Sequence, residues 1–427
     1  METTTLATSI WQKSKLLIKG FLIAGLVLLL LIPTYFVQEL IREREARQKE
    51  AFTEVSSKWA GRQDITGPIL VLPYIETPNA AGAAKHFAYI LPDSLTIDAN
   101  VNPEERHRGI YQVMLYSSVI KMNAKFNALP LEQLKIDPAN VIWQEAYICM
   151  NLADAKGLKE DIRFNWNDSA VTASPATVNN AVMREGFIAP VNVTAGTAFN
   201  FSSVININGS QQLLFTPVGR ETTVKLSSSW PEPSFTGGQL PDHRITDSGF
   251  TATWKSFAHT RNFPQAWKND AYVLQSSSFG ADLYIPVNGY QKTMRSVKYA
   301  VLCILLTFAA FFIIETVNKK SVHPFQYGLI GLALILFYTL LLSFSEYTGF
   351  NTAYIISSVA TVGLIAWFVR GILQSSRLTS VLAVLLVLMY SYVFTILQLQ
   401  DYSLLLGSIG LFLTLAVIMH FSKKIQW

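Results

Sequence analysis

Six long apolar runs punctuate the chain: Leu16 to Val37, Val297 to Ile314, Tyr327 to Phe344, Thr352 to Val369, Leu378 to Leu397 and Tyr402 to His420. A bilayer core takes about 20 helical residues, with about 17 tolerable, so each run predicts a membrane-crossing helix. Five of them crowd into the last 131 residues with almost no charge between them, which argues against buried soluble helices. The segment after the first run has a different period. Leu95, Ile97, Ala99 and Val101 alternate with Thr96, Asp98, Asn100 and Asn102. Phe199, Phe201, Ile205 and Ile207 share one parity, as do Val224, Leu226 and Trp230, and Phe250, Ala252 and Trp254. Period-two patterning predicts strands with one buried face.

These strands are expected from about Gly67 to Gln291, separated by turn signals at "NGS", "TGG" and "DSG" and by Pro231, Pro233 and Pro241. A short helix is expected around Ala153 to Leu158. After the first run, "QELIREREARQKEAFTEVSSKW" places Glu43 four residues before Arg47 and Glu45 four before Lys49. That is the favourable order for helical ion pairs, so the first helix is expected to continue as a stalk. Pro33 is a site where it can kink. Ala353, Ser357 and Thr361 form a small-residue stripe suited to close helix packing. The expected fold is a membrane α-helical bundle of six transmembrane helices plus a large β-rich, sandwich-like periplasmic domain, as one large sandwich or two halves. The expected boundaries are 1–37 for the cytoplasmic N-terminus and first span, 38–60 for the stalk, 61–296 for the β-rich domain, and 297–427 for a five-helix membrane domain.

Composition and charge give this arrangement a direction. Charged residues make up 15% of the chain, against roughly 25% in an ordinary soluble protein. Lys13, Lys15 and Lys19 flank the first run, Lys319 and Lys320 follow the second, Arg370 and Arg377 separate the fourth and fifth, and Lys423 and Lys424 follow the sixth. The alternate loops hold only Glu346 and Asp401. Cytoplasmic loops carry the Lys and Arg excess, so both termini are expected in the cytoplasm of a bacterial inner (plasma) membrane, with Gln38 to Ser296 outside. The first run lacks a small-residue cleavage site and reads as an uncleaved anchor. Residues 39–296 carry 24 Lys+Arg and 25 Asp+Glu. The net charge of +5 therefore reflects orientation signals, and nucleic acid is not an expected partner.

Chemistry-bearing motifs are sparse. Ser118 and Lys121 match S-x-x-K, but that chemistry needs one helix face, and in a strand i and i+3 point apart. The six histidines have no metal-ligand spacing, and the two cysteines, Cys149 and Cys303, are not expected to meet. No catalytic, cofactor or metal site is expected. The informative rarities are polar groups at the ends of the apolar runs: Asn288, Tyr290, Arg295, Lys298, Glu315, His323 and Glu346. Arg295 and Lys298 run against the charge alternation, so contact with outer-leaflet phosphates or with Glu346 is one expectation and simple solvation the other. Glu315 and Glu346 are expected at the two interfaces.

Three stretches resemble the CreD family of bacterial inner-membrane proteins: "KWAGRQDITGPILVLPY" (58–74), "SSSWPEPSFTGGQLPDHRITDSGFTATW" (227–254), and "PVNGYQKTMRSVKYAVLCILLTFAAFFIIE" (286–315) with "HPFQYGLIGLALILFYTLLLSFSEYTGFNTAY" (323–354). Asn288 stands where the family often has Asp, and Tyr347 where it often has His. The resemblance implies an inner-membrane protein tied to cell-envelope integrity, envelope stress and a two-component regulatory system, with no established catalytic activity. Beside the lipid bilayer, an unknown periplasmic or lipid ligand is the expected partner. The leading expectation is a non-enzymatic envelope-integrity protein whose outer domain binds a partner and is coupled to the bundle. The alternative is lipid or small-molecule transport or handling, with Ser357, Thr361, Ser391 and Thr395 as a candidate polar path. An enzyme acting on envelope polymers comes third.

Overall fold

A computed structural model describes residues 2–76, 84–176, 186–269, 272–283, 288–318, 322–399, 405–410, 412, 416 and 419, with backbone alone for 2–17 and 288. The chain divides into two compact units, residues 50–285 and residues 1–49 with 286–427.

Among the described residues, the first unit is built from sixteen strands. They are β1 (Gln63–Ile75), β2 (Lys85–Ile90), β3 (Ser94–Arg108), β4 (Tyr111–Phe126), β5 (Tyr147–Leu152) and β6 (Arg163–Trp166). Next come β7 (Ser169–Thr172), β8 (Ser174–Ala176), β9 (Gly186–Pro190), β10 (Phe199–Phe215) and β11 (Glu221–Ser228). The last are β12 (Ser234–Gly237), β13 (Asp242–Thr246), β14 (Gly249–Phe257), β15 (Ala266–Lys268) and β16 (Phe279–Leu283). All belong to one hydrogen-bonded network, with the path β13-β14-β11-β3-β4-β10-β1-β5-β9-β8.

The alternation read from the sequence is the burial pattern of this sheet. Leu95, Ile97, Ala99 and Val101 are buried, and so are Phe199, Phe201, Ile205, Ile207, Phe250, Ala252 and Trp254. Ser118 is buried and donates to the Asn100 carbonyl at 3.0 Å, while Lys121 is exposed on the other face. The S-x-x-K match thus has no shared face. β1 lacks the alternation because Ile69 to Leu72 are all buried, as expected for a strand covered on both faces. β10 pairs with β4 through Ser210 and with β16 from Gln211, which has φ +66°. One strand thereby joins the two parts of the network. Just before this change of partner, the Tyr116 ring crosses Gly209, where any Cβ would collide with it. The Tyr116 hydroxyl donates to the Gln212 carbonyl at 2.6 Å. The short helix expected near Ala153 is a single 3-10 turn, Ala155–Gly157, capped by the Asp154 side chain.

The second unit is helical. Its elements are α1 (Glu2–Trp59, of which residues 2–49 fall here), α2 (Asn288–Lys298), α3 (Ala300–Val317), α4 (Pro324–Thr348), α5 (Phe350–Leu373) and α6 (Ser376–Gln398). Five helices, α1 and α3 to α6, are long and apolar enough to cross a membrane. The expected sixth span, Tyr402 to His420, lies mostly outside the described residues, of which 405–410 are helical. Helix α1 continues without a break through Pro33, and the expected stalk pairs are present, Glu43 to Arg47 at 2.6 Å and Glu45 to Lys49 at 2.9 Å.

The span expected from Val297 is α3, which starts at Ala300, and a separate helix, α2, precedes it from Asn288. Tyr290, Thr293, Ser296 and Val297 recur at helical spacing and are all buried, so this stretch is amphipathic helix and not the end of a strand domain. Gly349, at φ +77°, makes the turn between α4 and α5. The stripe Ala353, Ser357 and Thr361 is buried inside the unit. Phe337 of α4 packs edge-on against Tyr354 of α5 at 5.3 Å and at a tilt against Tyr390 of α6 at 4.5 Å.

Candidate functional site

Two polar clusters cap the helical unit, one at each end of α4. The first forms around Glu315 in the last turns of α3, which is buried. Lys19 of α1 forms an ion pair with its Oε1. The same oxygen accepts from the Val322 N–H at 3.0 Å, and Oε2 accepts from the Tyr327 hydroxyl at 2.8 Å. Lys19 also donates to the Val322 carbonyl at 2.6 Å. Tyr327 is held edge-on between Phe308 and Phe311, at 5.5 and 5.0 Å. Both oxygens of this buried carboxylate therefore face donors, the condition under which a charge is tolerated away from water.

His323 sits next to this cluster in sequence but serves α4. Its Nδ1 accepts from the Phe325 N–H at 3.2 Å, and Gln326 Oε1 accepts from the His323 N–H at 3.0 Å. This is a reciprocal capping box, with Pro324 in the first turn. The imidazole itself is exposed.

The second cluster forms around Glu346 at the other end of α4. Tyr290 of α2 donates to its Oε1 at 3.0 Å, and Arg44 Nε of α1 lies 4.0 Å from the same oxygen. Beside it, Lys292 reaches Gln398 at 3.5 Å and lies 5.7 Å over the Phe350 ring, while Gln398 donates to Asn351 at 2.6 Å. The expected contact of Glu346 with Arg295 or Lys298 is not formed: Arg295 is half-buried, Lys298 is exposed, and neither has an ion pair among the described residues. The side chain of Asn288 lies outside the described residues; its backbone opens α2.

The structure thus brings Glu315 beside Lys19 and Tyr327, and Tyr290 beside Glu346. Sequence reasoning took Lys19 as an orientation signal and Arg44 as part of the stalk. Their partners lie 296 residues away, or on another helix, beyond any local spacing rule. The residues expected to line a polar path diverge: Ser357 and Thr361 are buried, while Ser391 and Thr395 are exposed, Thr395 donating to the Ser391 carbonyl at 2.9 Å.

The β unit holds a carboxylate of a different kind, half-buried among hydroxyls. Asp64 accepts from Ser278 at 3.0 Å and from Thr216 at 3.3 Å, and Thr216 is also hydrogen-bonded to Thr66 at 2.7 Å. Burial pushes the Asp64 carboxyl above the ordinary carboxylate range, and the Ser278 and Thr216 hydroxyls pull it part of the way back. Burial pushes the Cys149 thiol up to about 12, which leaves it unreactive. Cys149 and Cys303 are both free. Arg261 is lowered to about 10 by burial and then by the Arg220 charge, and it donates to the carbonyls of Pro217 and Val218 at 2.9 and 2.7 Å.

Comparison with known proteins finds matches over nearly the whole chain. The family model described as inner membrane protein CreD matches residues 15–427. The chain is 32% identical over 426 residues to the inner membrane protein CreD of Escherichia coli (strain K12), a match covering 97% of this chain and 94% of that protein.

Proposed function

The chain belongs to the CreD family of inner membrane proteins, and from that premise we propose that it is a non-enzymatic envelope-integrity protein. In this reading the β unit lies on the periplasmic side and binds an envelope partner. Its state is passed to the membrane helices, and a two-component system regulates the response. Both termini lie in the cytoplasm, as the distribution of Lys and Arg favours.

The observation that carries the reading is α1. One uninterrupted helix, Glu2–Trp59, gives its first part to the helical unit and Glu50–Trp59 to the β unit. Within the β unit that last part is well anchored: Trp59 Nε1 donates to the Tyr116 carbonyl at 3.3 Å, and Arg108 pairs with Glu54 at 3.0 Å. A stiff element shared by two units is a ready means of coupling them, and α1 carries no proline or glycine from Thr34 to Trp59 to let it bend.

The test is genetic. Deleting the gene should lower bile-salt tolerance and raise envelope-stress reporter output. Ala46→Pro, at an exposed position of α1, should reproduce the deletion phenotype while the protein still inserts, since a proline there interrupts the helix. Arg295→Ala should impair the same phenotypes without altering topology. Unchanged tolerance and reporter output in the deletion strain would overturn the reading.

A further inference from the structure

Two cavities adjoin along the first turns of α1 that the structure describes. One, of about 540 Å³, is wholly apolar in its side chains, with Ile18, Phe21, Leu22 and Leu29 along it and Gly25 between them. The other, of about 450 Å³, shares Ile18 and Leu22 with the first and adds Lys19, His323 and Gln326. The first is an open apolar stripe lined by α1 alone, and the second gives it a polar mouth at the start of α4.

The hydrogen-bond inventory of the mouth is one-sided. The Lys19 ammonium has three N–H groups; Glu315 and the Val322 carbonyl are its described acceptors, so one N–H remains. His323 Nδ1 accepts from Phe325, which assigns the ring proton to Nε2, a donor without a described acceptor. Gln326 Oε1 is taken by the His323 N–H, leaving its NH₂. Glu315 is buried and turned into its own cluster. Three side chains therefore offer N–H groups at the mouth, and no carboxylate among the described residues lines it.

The slot behind the mouth is open. A Cβ built on Gly25 meets nothing within 4 Å, and Ile18, Phe21, Leu22 and Leu29 are all more than half exposed. On the other side, α1 lies close against α4: a Cβ added at Gly331 would collide with Leu30, and one added at Gly328 would touch Leu26.

We propose that this groove holds one glycerophospholipid, its phosphate at Lys19, His323 and Gln326 and one acyl chain along Ile18 to Leu29. An acyl chain matches the apolar length, and a phosphate is the acceptor-only group that three donors suit. A free anion would leave the apolar part unfilled. The lipid is a resident of the helical unit, holding α1 beside the start of α4. The proposal goes beyond the reading of the β unit and does not draw on it.

The test is native mass spectrometry of the full chain, purified in detergent and mixed with equal amounts of phosphatidylglycerol and a diacylglycerol of the same chains. One phosphatidylglycerol should be retained at least tenfold over diacylglycerol. Gly25→Leu, which fills the slot, should lower retention about fivefold. Gln326→Glu should lower it about tenfold: Glu keeps the capping-box acceptor but exchanges the NH₂ donor for negative charge. Equal retention of the two lipids would show unselective detergent-belt lipid and overturn the proposal, as would unchanged retention in Gln326→Glu. The Glu variant keeps the test decisive should Gly25→Leu fail to fold.

Discussion

The two ends of α4 are built from the same three groups and differ in how dry they are. Each has a cation from α1, a carboxylate and a tyrosine hydroxyl: Lys19, Glu315 and Tyr327 at one end, Arg44, Glu346 and Tyr290 at the other. Lys19 and Arg44 are 25 positions apart on one helix, about 37 Å at 1.5 Å per residue, close to a bilayer with its interfaces. At the Lys19 end the two charged side chains are 20% and 7% exposed and in direct contact. At the Arg44 end they are 40% and 9% exposed and 4.0 Å apart. Coulomb attraction depends on the local dielectric far more than on the identity of the groups. The first cluster should therefore act as a lock and the second as a loose, salt-screened contact.

The largest expected effect is at the lock. Lys19→Gln or Glu315→Gln should each lower stability in detergent by about 3–5 kcal/mol, the cost of stranding one partner of a buried pair. Replacing both by apolar residues should restore much of that loss. Tyr327→Phe comes next. It leaves Glu315 Oε2 without its hydroxyl donor, and a lost hydrogen bond to a charged group costs about 1.5–3 kcal/mol. Equilibrium unfolding of the purified variants would rank these effects. Arg44→Gln should cost no more than about 1 kcal/mol, as for exposed pairs generally, and salt should erase that difference.

Asp64 extends the comparison to a carboxylate surrounded by hydroxyls and without an ion pair among the described residues. Its folded value is raised, so the folded state keeps the proton to higher pH than the unfolded chain does. Its contribution is fully present below the ordinary carboxylate value and is lost as pH rises through the folded one. Asp64→Asn should flatten this part of the pH dependence and stabilise the β unit at neutral pH. A melt series from pH 4 to 8 that shows no difference between the two proteins would contradict that assignment.

The parts of the fold governed by local period were legible in the sequence. The alternation around Leu95 to Val101 marks a sheet face because each residue's burial depends on its own parity. Five of the six apolar runs were legible as long apolar helices because hydropathy over a local window needs no distant partner. β10 was legible as a strand but not as the link between two parts of the network, because its change of partner at Gln211 depends on strands far away in the chain. The start of α2 was missed because Thr293 and Ser296 are buried hydroxyl residues, which hydropathy does not distinguish from loop. At the candidate site Glu315 and Glu346 were visible as rare charges at helix ends. Their partners were not, since Lys19 also satisfies the inside-positive pattern and Arg44 sits among stalk residues that pair locally.

The most direct test is a pair of double-mutant cycles in the same detergent, Lys19→Gln with Glu315→Gln and Arg44→Gln with Glu346→Gln. A dry lock and a wet contact predict a coupling energy of about 2 kcal/mol or more for the first pair and no more than about 1 kcal/mol for the second. Equal coupling, or the larger value at Arg44 and Glu346, would contradict the account.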